Sequence, residues 1–598
     1  TTDQAIALTT QHIALLGTAQ TSAISVADVA VLKTDQIVAL ATASVATLTP
    51  DQMIAIRTDQ MQALTTDQVA SLNSDQTNVM TTDQIVALTT GQISAVTTSA
   101  MAVFSADQIA AIENRDLAKM TTGQIASLST GQIGALLTGQ VASLTTRDIV
   151  TLSTDQLLAM SGNDISAMTT DQIAALGTNQ VDGLRIDEVA AFTTVQAPVL
   201  KAATLAAMST AQIQAFDPAT IPTLTTTQVS SLTTDQVVAL TLEQVQSLTT
   251  GQLKNFGTAQ IVALTTTQIG ELTVDQVPGL TTTAVALLSN DQLGAVTPDD
   301  LAVLSTGQVV ALTTSQIASV SIAQFNALTS VQFGALTNLQ IPAVTTDRVS
   351  GLDTSHVTVL SSVQSAALLT SQVAALSGDQ LAVITSAAFK ALKTDQILAI
   401  SAANIPSLTS AQIAVLSSTQ ARVMDNDQIA ALTADQAPSL ATSTLSSLFT
   451  SQFVQLTTSS VAVLSTLQMA KLTTDQVAAM STAQVSALTT QQIAALTTRE
   501  IAAINVDSIQ VIGSDQLAAI DTSHVVALTT SQISSLTSYQ AASLSTAQIS
   551  ALTVAQMPVV TPADVTALST DQLAALKSSQ IAVLTTDQIL AITAPSIS

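Results

Sequence analysis

The sequence contains no cysteine, no tryptophan and one tyrosine, and aromatic residues make up only 2% of its 598 positions. Without cysteine there is no disulfide framework and no thiolate metal site, although this absence leaves the redox compartment open. Charge is equally sparse and one-sided: charged residues are 9% of the chain, Lys+Arg number 15 against 41 Asp+Glu, and the formal net charge is -26. Nucleic-acid binding rests on Lys and Arg neutralising phosphates, so this balance argues against it, and equally against docking on an anionic membrane surface. No apolar run approaches the ~18 residues a membrane helix needs, so membrane insertion is not expected. Hydrophobic residues still reach 47%, far more than an acidic disordered tail carries.

What fills the chain is a repeat. Cut after every eighth residue from Thr1, it divides into 74 octads and a partial last copy, Thr593–Ser598, without one insertion. The modal octad, T-T-D-Q-I-A-A-L, stands at Thr169–Leu176. A short fixed period is the mark of a solenoid or fibrous array. No break in register marks a boundary, so residues 1–598 read as a single continuous array. With no atypical capping repeat and no signal peptide in view, the array reads as a segment of a longer chain.

Within an octad, position eight is Leu, Ile, Val, Met or Phe in every copy, and position five is nearly always a large aliphatic residue or Phe. Neither position ever carries Asp, Glu, Lys or Arg. Their three-residue spacing puts both on one helical face, and it does not fit the alternation of a half-buried strand. The expected core therefore includes Met53, Ile56, Ile85, Leu88, Ile173 and Leu176. The polar half reads as a helix start. Thr or Ser at position one with Gln at position four is a capping box, as in Thr49/Gln52 and Thr169/Gln172. Asp at position three suits the positive helix N-terminus. Pro50, Pro218, Pro298 and Pro562 all occupy position two, the first helical residue, where proline is best tolerated.

One continuous helix is excluded, because eight residues at about 100° each turn the apolar stripe by roughly 80° per octad, so it would wind around the helix. Each octad is its own helix of one to two turns, with the chain bending at Thr-Thr. The expectation is an all-α solenoid of very short helices, one per octad. Pro198, Pro222, Pro278, Pro342, Pro406, Pro438 and Pro558 all fall at position six, where proline removes a helical N–H. They leave open a solenoid of single turns, or 3₁₀ turns, with short extended segments. A lone octad buries too little to fold, so octads must stack on a shared core, with the frequent Ala at position seven letting backbones approach.

Candidate chemistry is thin. His12, His356 and His524 each replace the position-four Gln and read as variant helix starts. They are too far apart in a linear array for a metal site or a Ser-His-Asp arrangement, despite D-T-S-H at Asp353–His356 and Asp521–His524. No catalytic or cofactor residue is expected, and nothing assembles a nucleophile, base and oxyanion site. The recurring Thr and Asp faces leave a binding module for ice, calcium or glycan as the alternative to a structural role.

L-T-P-D-Q-M-I-A-I at Leu48–Ile56 is similar to the opening helix of a TAL-effector repeat, but the second helix and base-reading loop of that family are missing. The L-T-T-x-Q-[IV]-x-A-L array as a whole resembles octapeptide repeats in very large secreted or surface structural and adhesin-like proteins of Gram-negative bacteria. That resemblance implies an extracellular or cell-surface structural protein, such as a rod, stalk, filament or biofilm-matrix component. It would act without cofactors, as a homo-oligomer or by end-to-end self-assembly.

Overall fold

The computed structural model describes residues 1–593; all of the partial last copy beyond Thr593 lies outside the described residues. Among the described residues every octad forms one short helix and there is no strand: 67 α-helices and seven 3₁₀ helices follow one another in chain order. The chain forms two compact units that divide between Val303 and Leu304.

The modal octad shows why each helix starts and stops where it does. Thr169 is extended (φ -73°, ψ 161°) and caps a helix over Thr170–Ala175, and Leu176 is extended again (φ -53°, ψ 135°). The Ile173 N–H donates to Thr169 O at 3.0 Å in the α pattern, and the Leu176 N–H donates to Ile173 O at 3.2 Å, tightening the last turn. The bend thus lies at positions eight and one, Leu-Thr, one residue earlier than the Thr-Thr bend read from the sequence. The second Thr is the first helical residue. Because both bend residues are extended, no described residue has a positive φ, and the repeat needs no glycine to turn.

The position-six prolines account for all the 3₁₀ segments. Ala197–Val199, Pro218–Thr223, Val277–Gly279, Ile341–Ala343, Ala402–Ser407, Ala437–Ser439 and Met557–Val559 each contain one of them. Proline has no N–H to reach back four residues. The chain closes with three-residue bonds instead, such as Val199 N–H to Gln196 O at 3.2 Å and Gly279 N–H to Gln276 O at 2.8 Å.

Positions five and eight are the core. Met53, Ile56, Ile85, Leu88, Ile173 and Leu176 are all buried, as are small exceptions at position five such as Thr21, Thr77, Ala197 and Ser365. The core forms by stacking at long range. In the first unit the helix over Val26–Val31 packs on Pro50–Ala55, and in the second Thr474–Ala479 packs on Thr498–Ala503. Each helix meets the one three octads along. The approach is close: a Cβ on Gly183, at position seven, would lie 2.5 Å from Thr154 Cγ2, at position two three octads earlier. At Gly279 it would lie 2.8 Å from both Thr250 Cγ2 and Thr250 O. At Gly183 and Gly279 the small residue is therefore set by local packing, while position seven elsewhere also accepts Lys119, Glu271, Leu287 and Gln455.

Candidate functional site

The recurring polar feature of the array is the position-four side chain, and most of it is buried. Gln52 and Gln172 are each 1% exposed. As expected from the capping box, the Thr49 N–H donates to Gln52 Oε1 at 2.7 Å, and the Gln52 N–H donates to Thr49 Oγ1 at 3.3 Å. Thr169 and Gln172 repeat this at 2.6 and 3.3 Å. Pro50 occupies the first helical position. Where position one has no side-chain acceptor, the glutamine half stands alone, as in Gly17 N–H to Gln20 Oε1 at 2.8 Å and Lys33 N–H to Gln36 Oε1 at 2.7 Å.

The other end of the same amide makes the contact that sequence reasoning missed. Gln52 Nε2 donates to Thr21 O at 3.2 Å, Ser22 O at 3.3 Å and Ile24 O at 2.6 Å. Gln172 Nε2 donates to Val141 O at 2.8 Å and Leu144 O at 2.7 Å. These acceptors are the C-terminal carbonyls of the helix four octads earlier, the groups a short helix leaves without partners. One side chain thus joins the N-terminus of its own helix to the C-terminus of another. Since helices pack three octads apart while the glutamine reaches four back, one turn of the path within each unit takes between three and four octads. Buried backbone carbonyls need a donor, and a glutamine at position four provides one without breaking the apolar core.

Substitutions at position four separate the two halves of the job: Asp148 and Asp164 keep the cap, accepting from the Thr145 and Ser161 N–H groups at 2.9 and 2.8 Å, and others keep the contact to the earlier helix. Ser44 Oγ donates to Leu16 O, Thr444 Oγ1 to Leu416 O and Ser460 Oγ to Leu432 O, all at 2.9 Å, and Asn404 Nδ2 donates to Leu376 O at 3.0 Å. Arg348 Nη1 donates to Ala318 O at 2.9 Å, and burial pulls its guanidinium below the usual arginine range. His524 reproduces both ends of glutamine: the Asp521 N–H donates to its Nδ1 at 3.3 Å, and its Nε2 lies 2.6 Å from Leu496 O. His356 Nε2 lies 2.5 Å from Leu328 O, with its ring edge-on to Phe333 at 5.3 Å between centroids. His524 fills the helix-start role read from the sequence, as does His12, whose Nδ1 accepts from the Thr9 N–H at 3.4 Å; His356 does not, keeping the carbonyl contact without a cap.

A carboxylate at this position accepts but does not donate, and at Glu188 the array compensates. Glu188 Oε2 accepts from the Arg185 N–H at 2.7 Å. The Arg185 side chain supplies the missing donors, Nη1 to Leu158 O at 2.7 Å and Nη2 to Met160 O at 3.3 Å, while Nη2 also lies 2.9 Å from Glu188 Oε1. Met160 is the carbonyl a glutamine would have met. Burial pushes the Glu188 carboxyl above the usual glutamate range, against the lowering effect of the Arg185 N–H and guanidinium. Asp116 is likewise raised by burial, with Arg115 opposing.

The outward face mixes small polar residues with exposed apolar side chains at position six, such as Ile54, Val150 and Val262. Asp recurs at position three, and Arg57 pairs with Asp59 at 2.9 Å, holding that carboxyl below its usual range. Among the described residues no group of three or more His, Asp or Glu comes together in a geometry that would hold a metal ion, and no helix is long and apolar enough to cross a membrane.

No curated protein matches the chain. Among solved structures, the leucine-rich repeat-containing protein LegL7 from Legionella pneumophila is similar at 15% identity, over 49% of this chain and 80% of that one, with a TM-score of 0.11. The ALTTAQ repeat model matches residues 53–90, 109–146, 141–178, 161–194, 248–282, 298–330, 461–498, 469–506, 509–546 and 559–594, together more than half of the chain. The motif contains the capping threonines and the ladder glutamine, and the chain belongs to the ALTTAQ repeat family.

Proposed function

We propose that the chain is an extracellular or cell-surface structural element, a rod, stalk or self-assembling filament that spans distance instead of transforming a substrate. One observation supports this above the rest. The same buried bridge, from a position-four glutamine to the helix four octads back, recurs through both units, and Ser44, Arg348, His356, Asn404, Thr444, Ser460 and His524 keep a contact to that helix. That contact holds the stack together, and no octad stands apart as a reacting centre. A non-enzymatic role follows from the same reasoning, because catalysis needs several different groups converging on one point. The sparse acidic charge suits an exported, soluble surface, and end-to-end association of copies belongs to the same reading.

Electron microscopy of the purified chain across a concentration series, with immunogold labelling of producing cells, tests this. Elongated particles or constant-width filaments and label at the cell surface are expected. Compact globular particles, or label confined to the cytosol, would overturn the reading.

A further inference from the structure

Position three is where the array shows its polarity: it is usually Asp or a small residue, and a large apolar or aromatic side chain stands there only at Val195, Val331, Leu339, Val363, Leu467 and Tyr539. Three of the six fall close together in the second unit, and all three are exposed, Val331 at 69%, Leu339 at 73% and Val363 at 64%. The stacking brings their octads side by side. Gln364 Nε2 donates to Gly334 O at 3.0 Å and Leu336 O at 2.7 Å, so the octad of Val363 docks on that of Val331. The helix over Ser362–Ala367 also packs on the 3₁₀ turn Ile341–Ala343, in the octad of Leu339. These octads carry no charge. Between Asp300 and Asp347 there is no Asp, Glu, Lys or Arg, nor is there one between Asp353 and Asp379.

We propose that this face is a self-association surface on which a second copy of the chain docks. The proposal deepens the structural reading above and rests on it. The occupant follows from charge. Two copies, each at -26, repel one another over most of their acidic surface. A face without charge is where that repulsion is least. An uncharged apolar patch is also complementary to itself, as a two-fold contact between identical chains requires, whereas a charged patch needs an opposite partner. Exposed clustered apolar residues on an otherwise polar surface mark such contacts. Salt gives a signature: screening weakens repulsion between the acidic copies, so association strengthens as salt rises, the reverse of a contact made by ion pairs.

Sedimentation equilibrium of the full chain tests this, comparing the native sequence with Val331→Asp/Leu339→Asp/Val363→Asp and with a control, Val195→Asp/Leu467→Asp/Tyr539→Asp. All six side chains are exposed, and circular dichroism checks that each variant keeps its helices. The native chain and the control are expected to dimerise increasingly with concentration and with salt. The first variant is expected to stay monomeric to at least tenfold higher concentration. A native chain that stays monomeric, or a variant at the three sites that associates like the native one, overturns the proposal. So does a monomeric native chain that pellets with phosphatidylcholine vesicles while the variant does not, since the face would then meet lipid. Loss of association with elongated particles still seen by microscopy removes this surface and leaves the structural reading standing.

Discussion

Replacing Gln172 by Glu separates the two roles of the ladder, because the two side chains have the same shape. Glutamate keeps the oxygen that accepts from the Thr169 N–H, and its charge favours a helix N-terminus. If position four were only a cap, Gln172→Glu would be neutral or slightly stabilising. The ladder gives the opposite sign. The substitution removes the donor to Val141 O and Leu144 O and sets a second oxygen against two carbonyls in a buried place. Two lost hydrogen bonds at ~0.5–1.5 kcal/mol each, with the cost of leaving buried acceptors unpaired, give a loss of about 2–4 kcal/mol. In a solenoid the loss is local, so the readout is hydrogen exchange followed by mass spectrometry on peptides covering 137–144 and 169–176. At tenfold per ~1.4 kcal/mol, exchange there is expected to quicken by roughly thirty-fold or more, while distant octads are unchanged. Thr169→Val removes only the capping half and is expected to cost ~1 kcal/mol. Unchanged or slower exchange in Gln172→Glu would refute the ladder as a stabilising contact.

Glu188 offers the reverse experiment. Because its folded pKa is raised by burial, the folded state holds the proton more tightly than the unfolded one, so stability rises as pH falls from neutral through the folded pKa and levels off below the unfolded value. The double variant Arg185→Thr/Glu188→Gln restores the modal pair and is expected to be at least as stable at neutral pH and to lose this acid-side gain in urea unfolding compared at neutral and at acid pH. Gly279→Ala places a Cβ 2.8 Å from Thr250 O. It is expected to destabilise the Thr250–Gly279 contact by about 1–3 kcal/mol, read as faster exchange in 249–256 and 273–280, and unchanged protection would show that the stack yields there at no cost. Pro438→Ala is expected to convert Ala437–Ser439 from 3₁₀ to α-helix, with a slowly exchanging amide appearing at 438.

The local half of this fold is legible in the sequence. Thr49, Pro50 and Gln52 mark the helix start, and Ile173 and Leu176 mark the buried face, because capping and core spacing act within one octad. The contacts between octads are not legible in the same way. They join residues 28 to 31 apart, and no eight-residue pattern states how many octads make a turn. A signal for the ladder was nevertheless present. Position four holds Gln in 52 of the 74 octads and Glu only at Glu188 and Glu500. Capping alone accepts either residue, so a preference for the amide demands a second partner that needs a donor. Ser44, Thr444, Ser460 and Asn404 make the same point, since each is too short to copy the glutamine cap fully and each still donates to the carbonyl 28 residues back. The displaced bend has a physical origin as well: a capping residue is itself extended, so the turn is complete before the second Thr.

The stacking of each helix on the one three octads away is tested most directly by disulfide trapping, which the absence of native cysteine makes clean. A Cβ on Gly183 would lie 3.3 Å from Thr154 Cβ, and one on Gly378 would lie 3.0 Å from Ser407 Cβ, close to the ~3.5–4.5 Å a disulfide spans. Thr154→Cys/Gly183→Cys and Gly378→Cys/Ser407→Cys are expected to cross-link nearly completely under mild oxidation, and Thr146→Cys/Gly183→Cys, shifted by one octad, to stay reduced. Equal cross-linking of the shifted pair, or none at either matched pair, would contradict the stacking and the glutamine ladder built on it.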